Sequence, residues 1–123
     1  MKDPVIKFKG YSIQQMIYQK VDSKEGSPSS KLNLSCGISE DMKFGKIIIT
    51  VEFINSEVQI LLTVEGLFDV KGVESKESIE EFLTVNGTAI VYPYVRSIMS
   101  MVSSLDSNNA IILPTINTTN FID

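Results

Sequence analysis

The chain has 123 residues, a length that fits one domain with a core of its own. Its net charge is −4, and its Lys and Arg residues are scattered rather than gathered into a basic stripe, which argues against nucleic-acid binding. The chain has no histidine and one cysteine, Cys36, so it cannot assemble a Ser-His or Cys-His nucleophile pair, an intramolecular disulfide or a structural zinc site.

No segment reaches the ~20 apolar residues that span a bilayer. Residues 1–10 carry Lys and Asp and lack the continuous apolar stretch of a secretory signal. We therefore expect one cytoplasmic domain over residues 1–123, with no metal, no cofactor and no catalytic activity.

The first half of the chain alternates apolar and polar residues, which is the period of half-buried β-strands. Gly10 interrupts the first of these patterns and indicates a β-bulge. The connections between the later segments are short, so neighbouring strands are expected to be antiparallel. The predicted strands are residues 5–20, 31–38, 47–53 and 58–70.

Four aliphatic residues fall on positions that the alternation assigns to the solvent side of this sheet. They are Ile48, Ile54, Leu61 and Leu67. A sheet with one solvated face normally alternates more cleanly, so they indicate a partner subunit or a ligand surface. Isolated exposed aliphatic residues are equally consistent with the pattern.

The second half of the chain has helical periodicity. Ser75 can cap a first helix that ends near residue 85, where Asn86-Gly87 is a typical stop signal. A second helix is predicted over residues 89–105, with Pro93 in its first turn, where the missing N–H costs little. Strands followed by helices predict an α+β domain: a four-stranded antiparallel sheet followed by two helices.

Acidic pairs are the remaining candidates for acid–base chemistry. Glu80 and Glu81 are adjacent and point in different directions on a helix, and Glu65 and Asp69 are separated on their strand by a leucine. Pairs of this kind are typical of solvated surface, so we predict no catalytic site.

Residues 92–96, Tyr-Pro-Tyr-Val-Arg, begin the second predicted helix, and residues 113–117, Leu-Pro-Thr-Ile-Asn, follow it. Together with Gly-Leu-Phe at residues 66–68, these segments resemble the SecB family of protein-export chaperones. The residues that carry the family motif are Tyr92, Pro93, Tyr94, Arg96, Leu113, Pro114, Asn117 and Phe121. A purely structural interpretation is that Pro93 starts the helix and that Arg96 snorkels or pairs with a carboxylate.

The resemblance implies a SecB-like fold, assembly as a homotetramer built from two dimers, and a bacterial origin. It also implies an ATP-independent chaperone that holds unfolded or pre-secretory polypeptides in apolar grooves between sheet and helices. The residues expected to bind such clients are Tyr11, Ile13, Met16, Tyr18, Tyr94 and Met101. Methionine suits promiscuous binding, although the methionines are equally suited to filling the core.

The sequence departs from the family pattern after Arg96, where Ser97 replaces the usual acidic residue, and we expect it to lack the acidic tail of the exporting members. The missing tail weakens the expectation of docking to a translocation motor. The chain is closer to short SecB-like proteins, some of which serve toxin–antitoxin systems or phages. The alternative function is therefore a dedicated subunit that binds one partner, such as a toxin, an antitoxin or a phage factor. A small-molecule enzyme is a third class, for which no catalytic constellation is present.

Overall fold

The computed structural model describes residues 6–22, 28–72, 75–106, 111–114 and 116. The four predicted strands form one sheet with the order β1-β4-β3-β2, and all neighbouring strands are antiparallel. The strands are β1 (Ile6–Lys20), β2 (Ser29–Ile38), β3 (Phe44–Ile54) and β4 (Val58–Val70). The predicted sheet is therefore confirmed, with strand ends within a few residues of those expected.

The two tight turns are closed by side chains from the turn residues themselves. Between β3 and β4, Asn55 Oδ1 accepts hydrogen bonds from the backbone N–H groups of Glu57 and Val58, both at 2.8 Å. Between β2 and β3, Ser39 Oγ donates to Asp41 at 2.6 Å, and Met42 adopts a positive φ of 59°. These local bonds fix how the strands meet.

Two bulges in β1 resolve its irregular apolar pattern. The pairing between β1 and β4 shifts between Phe8 and Gly10, as predicted, and again between Ile13 and Gln15. Gly10 has a φ of +123°, a conformation that only glycine adopts without strain. Because each bulge inserts one residue, five side chains of mixed parity reach the same face of the sheet. They are Phe8, Tyr11, Ile13, Met16 and Tyr18.

The two predicted helices are joined. Ser75 caps α1 (Lys76–Phe82) by accepting a hydrogen bond from the Ser78 N–H at 3.1 Å, as expected. The chain then continues through a π-helical segment, Leu83–Gly87, into α2 (Thr88–Asp106). The predicted stop at Asn86-Gly87 was wrong. Gly87 is buried in this segment, and a Cβ there would lie 3.4 Å from the Phe68 ring, which is ordinary van der Waals contact.

Pro93 lies inside α2 and not in its first turn, because the helix does not restart at residue 89. The prediction for Pro93 was therefore also wrong. The proline is exposed, and its carbonyl accepts a hydrogen bond from Ser97 Oγ at 3.0 Å.

The core lies between one face of β3 and β4 and the inner side of α1 and α2. Gly66 lets α2 approach the sheet, since a Cβ at this position would be 2.3 Å from Val91 Cγ2. The largest fully buried side chains include Phe68, Ile47, Ile49, Ile60, Leu62, Ile79, Leu83 and Met99. Within the described part of the chain, no helix combines the length and apolar character needed to cross a membrane.

The four predicted outer aliphatic residues lie on the opposite face of the sheet. Ile54 and Leu67 are exposed, whereas Ile48 and Leu61 are half-buried. They are mixed with the ion pairs Lys9–Asp69 at 3.6 Å and Lys46–Glu65 at 4.0 Å. This face is therefore a patchwork of apolar and paired charged residues.

Candidate functional site

An apolar surface runs between β1 and the outward flank of α2. One wall is the face of β1 that the two bulges align, and the other is the stripe of α2 residues spaced three and four apart. We call this the β1–α2 surface. Its members are Phe8, Tyr11, Ile13, Met16, Tyr18, Tyr94, Ile98, Met101 and Leu105.

Aromatic rings join the two walls at one end. The rings of Tyr11 and Tyr94 stack with their centroids 4.4 Å apart, and Tyr94 also stacks on Phe8 at 5.8 Å. Phe8 in turn contacts the buried Phe68 at 5.5 Å. Because the tyrosines remain partly exposed, this stack forms an accessible aromatic surface that is continuous with the core.

Polar groups join the walls at the other end, 12 residues further along α2. The hydroxyl of Tyr18 donates to Asp106 Oδ2 at 2.6 Å, and Lys20 forms an ion pair with the same carboxylate. The hydrogen bond to Asp106 raises the pKa of Tyr18 to about 12. The hydrogen bonds from Lys20 and Tyr18 lower the pKa of the Asp106 carboxyl.

The middle of the surface is aliphatic and open. Ile13 and Met101 are 50% and 63% exposed, and Leu105, next to the polar end, is 81% exposed. Met16 and Ile98 are half-buried and pack against the core. The methionines therefore divide: Met99 is fully buried in the core, whereas Met101 is available to a partner.

The structure brings the six predicted client-binding residues onto this one surface, with Tyr11 and Tyr94 in direct contact. Phe8, Ile98, Leu105 and Asp106 also belong to this region and were not predicted from the sequence. Residues 94, 98, 101 and 105 are spaced as one stripe of a helix, and this pattern could have identified Ile98 and Leu105. Nothing in the sequence indicated Asp106, because its partners are 86 and 88 residues away.

Most of the described motif residues hold the C-terminal segment against α2. The Tyr92 hydroxyl donates to the Pro114 carbonyl at 2.8 Å, and Arg96 Nε donates to the Leu113 carbonyl at 3.1 Å. Burial raises the pKa of Tyr92. Leu113 itself is buried. Arg96 thus binds a backbone carbonyl, whereas the structural alternative had it snorkel or pair with a carboxylate, and these motif residues stabilise the fold. Asn117 and Phe121 lie outside the described residues.

A hollow of about 280 Å³, lined by both apolar and uncharged polar residues, opens beside β2. Its lining consists of Leu32, Asn33, Leu34, Ser35, Cys36, Ile47 and Thr84. Burial and the nearby Glu80 carboxylate raise the pKa of the Cys36 thiol, so this cysteine is protonated at neutral pH. Within the described residues, no group of three His, Cys, Asp or Glu side chains is arranged to hold a metal ion.

Comparisons with known proteins place the fold. No family model matches the chain. An uncharacterized protein of Methanocaldococcus jannaschii is 28% identical over 127 residues, covering 91% of this chain and 79% of the relative.

Two solved structures share the architecture. The Mycobacterium tuberculosis SecB-like chaperone Rv1957, solved with a ChAD peptide from the HigA1 antitoxin, superposes with a TM-score of 0.77 at 9% identity, covering 91% of each chain. A Streptococcus agalactiae protein of unknown function superposes with a TM-score of 0.57 at 12% identity, covering 89% of this chain and 97% of that chain. At these identities the likeness concerns the fold alone, and the fold of this chain is SecB-like.

Proposed function

We propose that this protein is an ATP-independent chaperone that holds non-native polypeptide on the β1–α2 surface. The observation that carries this proposal is a set of aromatic, aliphatic and methionine side chains on β1 and α2 that stays wholly or partly exposed after the core has formed. Exposed apolar surface of this kind marks interaction sites in soluble proteins. The likeness to a SecB-like chaperone solved with an antitoxin peptide supports a polypeptide as the partner.

The side chains of this surface suit weak binding of many different polypeptides. The aromatic stack offers flat apolar area, and Met101 and Leu105 offer side chains that can repack around different partners. Burial of apolar area contributes about 25 cal/mol per Å², most of which is offset by the entropy lost on association. Reversible binding of unfolded chain then opposes folding and aggregation by mass action, without a nucleotide.

The polar end of the surface has a positioning role. Tyr18 and Lys20 attach the last residue of α2 to β1, so the two walls keep a fixed separation at this end. The middle of the surface lies between this polar attachment and the aromatic stack at the other end, and it stays open to solvent.

Light scattering of a chemically denatured client, diluted with and without the protein, tests the proposal. The wild-type protein should delay aggregation, and the double variant Ile13→Gln/Met101→Gln should lose this effect, because both side chains are exposed and make the surface apolar. Leu67→Gln is the matched control, since Leu67 is similarly exposed on the opposite face of the sheet. Unchanged aggregation with the wild-type protein, or equal loss in both variants, would contradict the proposal.

A dedicated subunit for one partner is the second candidate, and the antitoxin peptide in the neighbouring structure favours it. A partner of this kind would use the same surface for a single sequence. Affinity purification from the native host distinguishes the two functions: one stoichiometric partner, such as a toxin, antitoxin or phage factor, supports the dedicated subunit. Many non-native proteins, including pre-secretory ones, support the general chaperone and an export role.

We also propose a homo-oligomer, a dimer or a dimer of dimers as in SecB. Support comes from apolar side chains that stay exposed outside the β1–α2 surface, such as Ile54 at 40% and Ile90 at 37%. Light scattering coupled to size-exclusion chromatography should give a molar mass near two or four times 13.7 kDa. A monomer at micromolar concentration would refute the assembly.

A further inference from the structure

The backbone of β2 leaves a regular row of hydrogen-bonding groups without a strand partner in the described part of the chain. β2 is an edge strand, and its pairing with β3 has no register shift. The Ser39 N–H donates to the Phe44 carbonyl next to this ladder. Since bonded pairs alternate in antiparallel ladders, the odd-numbered residues of β2 bond to β3. The N–H and C=O groups of Leu32, Leu34, Cys36 and Ile38 therefore point away from the sheet.

The hollow beside β2 lies on the same residues. Leu32, Leu34 and Cys36 direct their side chains to the helix-covered face, where they line the opening with Ile47 and Thr84. Backbone groups for an incoming strand and space for its side chains thus occur together. The outward backbone groups and the hollow coincide at every second residue over Leu32–Cys36, a length of about 13 Å.

The other edge of the sheet differs. β1 has register shifts after Phe8 and after Ile13, so its outward groups do not keep a two-residue spacing. Bulges of this kind obstruct the addition of another strand, whereas β2 has no bulge and no proline in its ten residues. Its one charged residue, Lys31, lies near the start of the strand with its side chain on the opposite face from the hollow.

We propose that the free edge of β2 and the hollow beside it form a strand-addition site for an extended segment of a partner polypeptide. The segment has uncharged apolar residues at alternate positions, because the lining of the hollow carries no charged side chain. Its intervening residues are polar, since they lie beside the polar residues Asn33 and Ser35, which also border the hollow. This inference rests on the proposed function for the polypeptide nature of the partner, but it places backbone pairing on β2, away from the β1–α2 surface.

Amide hydrogen exchange measured by NMR tests the site, with the peptide Glu-Thr-Val-Thr-Val-Thr-Val-Thr-Glu as the probe. The peptide should slow exchange at Leu32, Leu34, Cys36 and Ile38 and leave Asn33 and Ser35 unchanged, since those two amides already bond to β3. In antiparallel addition with valines in the hollow, the valine N–H groups face β2. N-methylation of the valines should weaken binding about tenfold or more, whereas N-methylation of the threonines should not.

A pair of protein variants gives a second measurement. Leu34→Ala shortens a side chain in the hollow but keeps the N–H, and Leu34→Pro also removes the N–H that faces the free edge. The proline variant should bind the probe about fivefold more weakly than the alanine variant. Equal binding by the two variants, or by the two methylated peptides, would overturn the site.

The location of protection separates this inference from the proposed function. Protection confined to β1 and α2 would overturn the β2 site and leave the chaperone proposal standing. Even-numbered amides of β2 that are already protected without peptide, in a protein of doubled mass, would show that a second copy occupies the edge and would also overturn the inference. Failure of both peptide binding and aggregation suppression would defeat the two proposals together.

Discussion

Gly66 lies in β4 directly beneath α2, and its replacement by alanine tests how tightly the helix rests on the sheet. The new Cβ would be 2.3 Å from Val91 Cγ2 and 3.4 Å from Ile47 Cγ2. Carbon atoms in van der Waals contact are about 3.5 Å apart, so Val91 must move by roughly 1 Å. Val91 is fully buried and cannot simply rotate into solvent. We expect Gly66→Ala to lower the free energy of unfolding by about 1–3 kcal/mol, the usual cost of overpacking.

Urea unfolding followed by circular dichroism measures this change. With a slope of about 2 kcal/mol per M, the midpoint should fall by about 0.5–1.5 M. Gly37→Ala is the control, because the Cβ at that position would meet the flexible end of the Lys46 side chain at 3.0 Å. The double variant Gly66→Ala/Val91→Ala should be less destabilised than the sum of its single changes, since the clashing methyl is gone. Equal midpoints for the Gly66 and Gly37 variants would refute the reasoning.

Three further predictions concern single hydroxyl groups. Tyr92→Phe removes the donor to the Pro114 carbonyl and should lower the free energy of unfolding by about 1 kcal/mol in urea, whereas an unchanged midpoint would mean that this bond does not hold the segment. Thr88→Val should raise it by about 1 kcal/mol, because the buried Thr88 hydroxyl has no hydrogen-bond partner among the described residues, and a lower midpoint would contradict this. Ultraviolet titration of Tyr18 should give a midpoint of about 12 that falls toward ~10 in Asp106→Asn. Since folding raises this pKa, the associated stabilisation is complete below pH ~10 and is lost as the pH rises through about 12, and equal midpoints in both proteins would exclude the Asp106 bond as the cause.

The strands could be predicted because their information is local. Alternation in β2, β3 and β4 sets which side chains face the core, and short turns require antiparallel neighbours. The second bulge in β1, at Gln14, was not predicted, because a bulge without glycine leaves little trace in the sequence. It is nevertheless the feature that turns Met16 and Tyr18 to the same face as Tyr11.

The helical region shows the limit of local signals. The dipeptide Asn86-Gly87 is a typical helix stop signal, and this local preference does not depend on the rest of the fold. In the structure, however, the helix continues through these residues as a π-helical segment, and Gly87 is buried beside the Phe68 ring. The same continuity moved Pro93 into the helix interior. The tertiary fold therefore outweighed a short-range preference in both cases.

The sequence by itself determined the α+β architecture, the apolar face of each strand and the type of residue that could bind a partner, since these follow from periodicity and composition. Only the tertiary structure decided which of those residues meet. The Tyr11–Tyr94 stack, the Tyr18–Asp106 bond and the hollow beside Cys36 each join segments separated by dozens of residues. Such contacts depend on how far α2 can approach the sheet, and that distance is set by the absence of a side chain at Gly66.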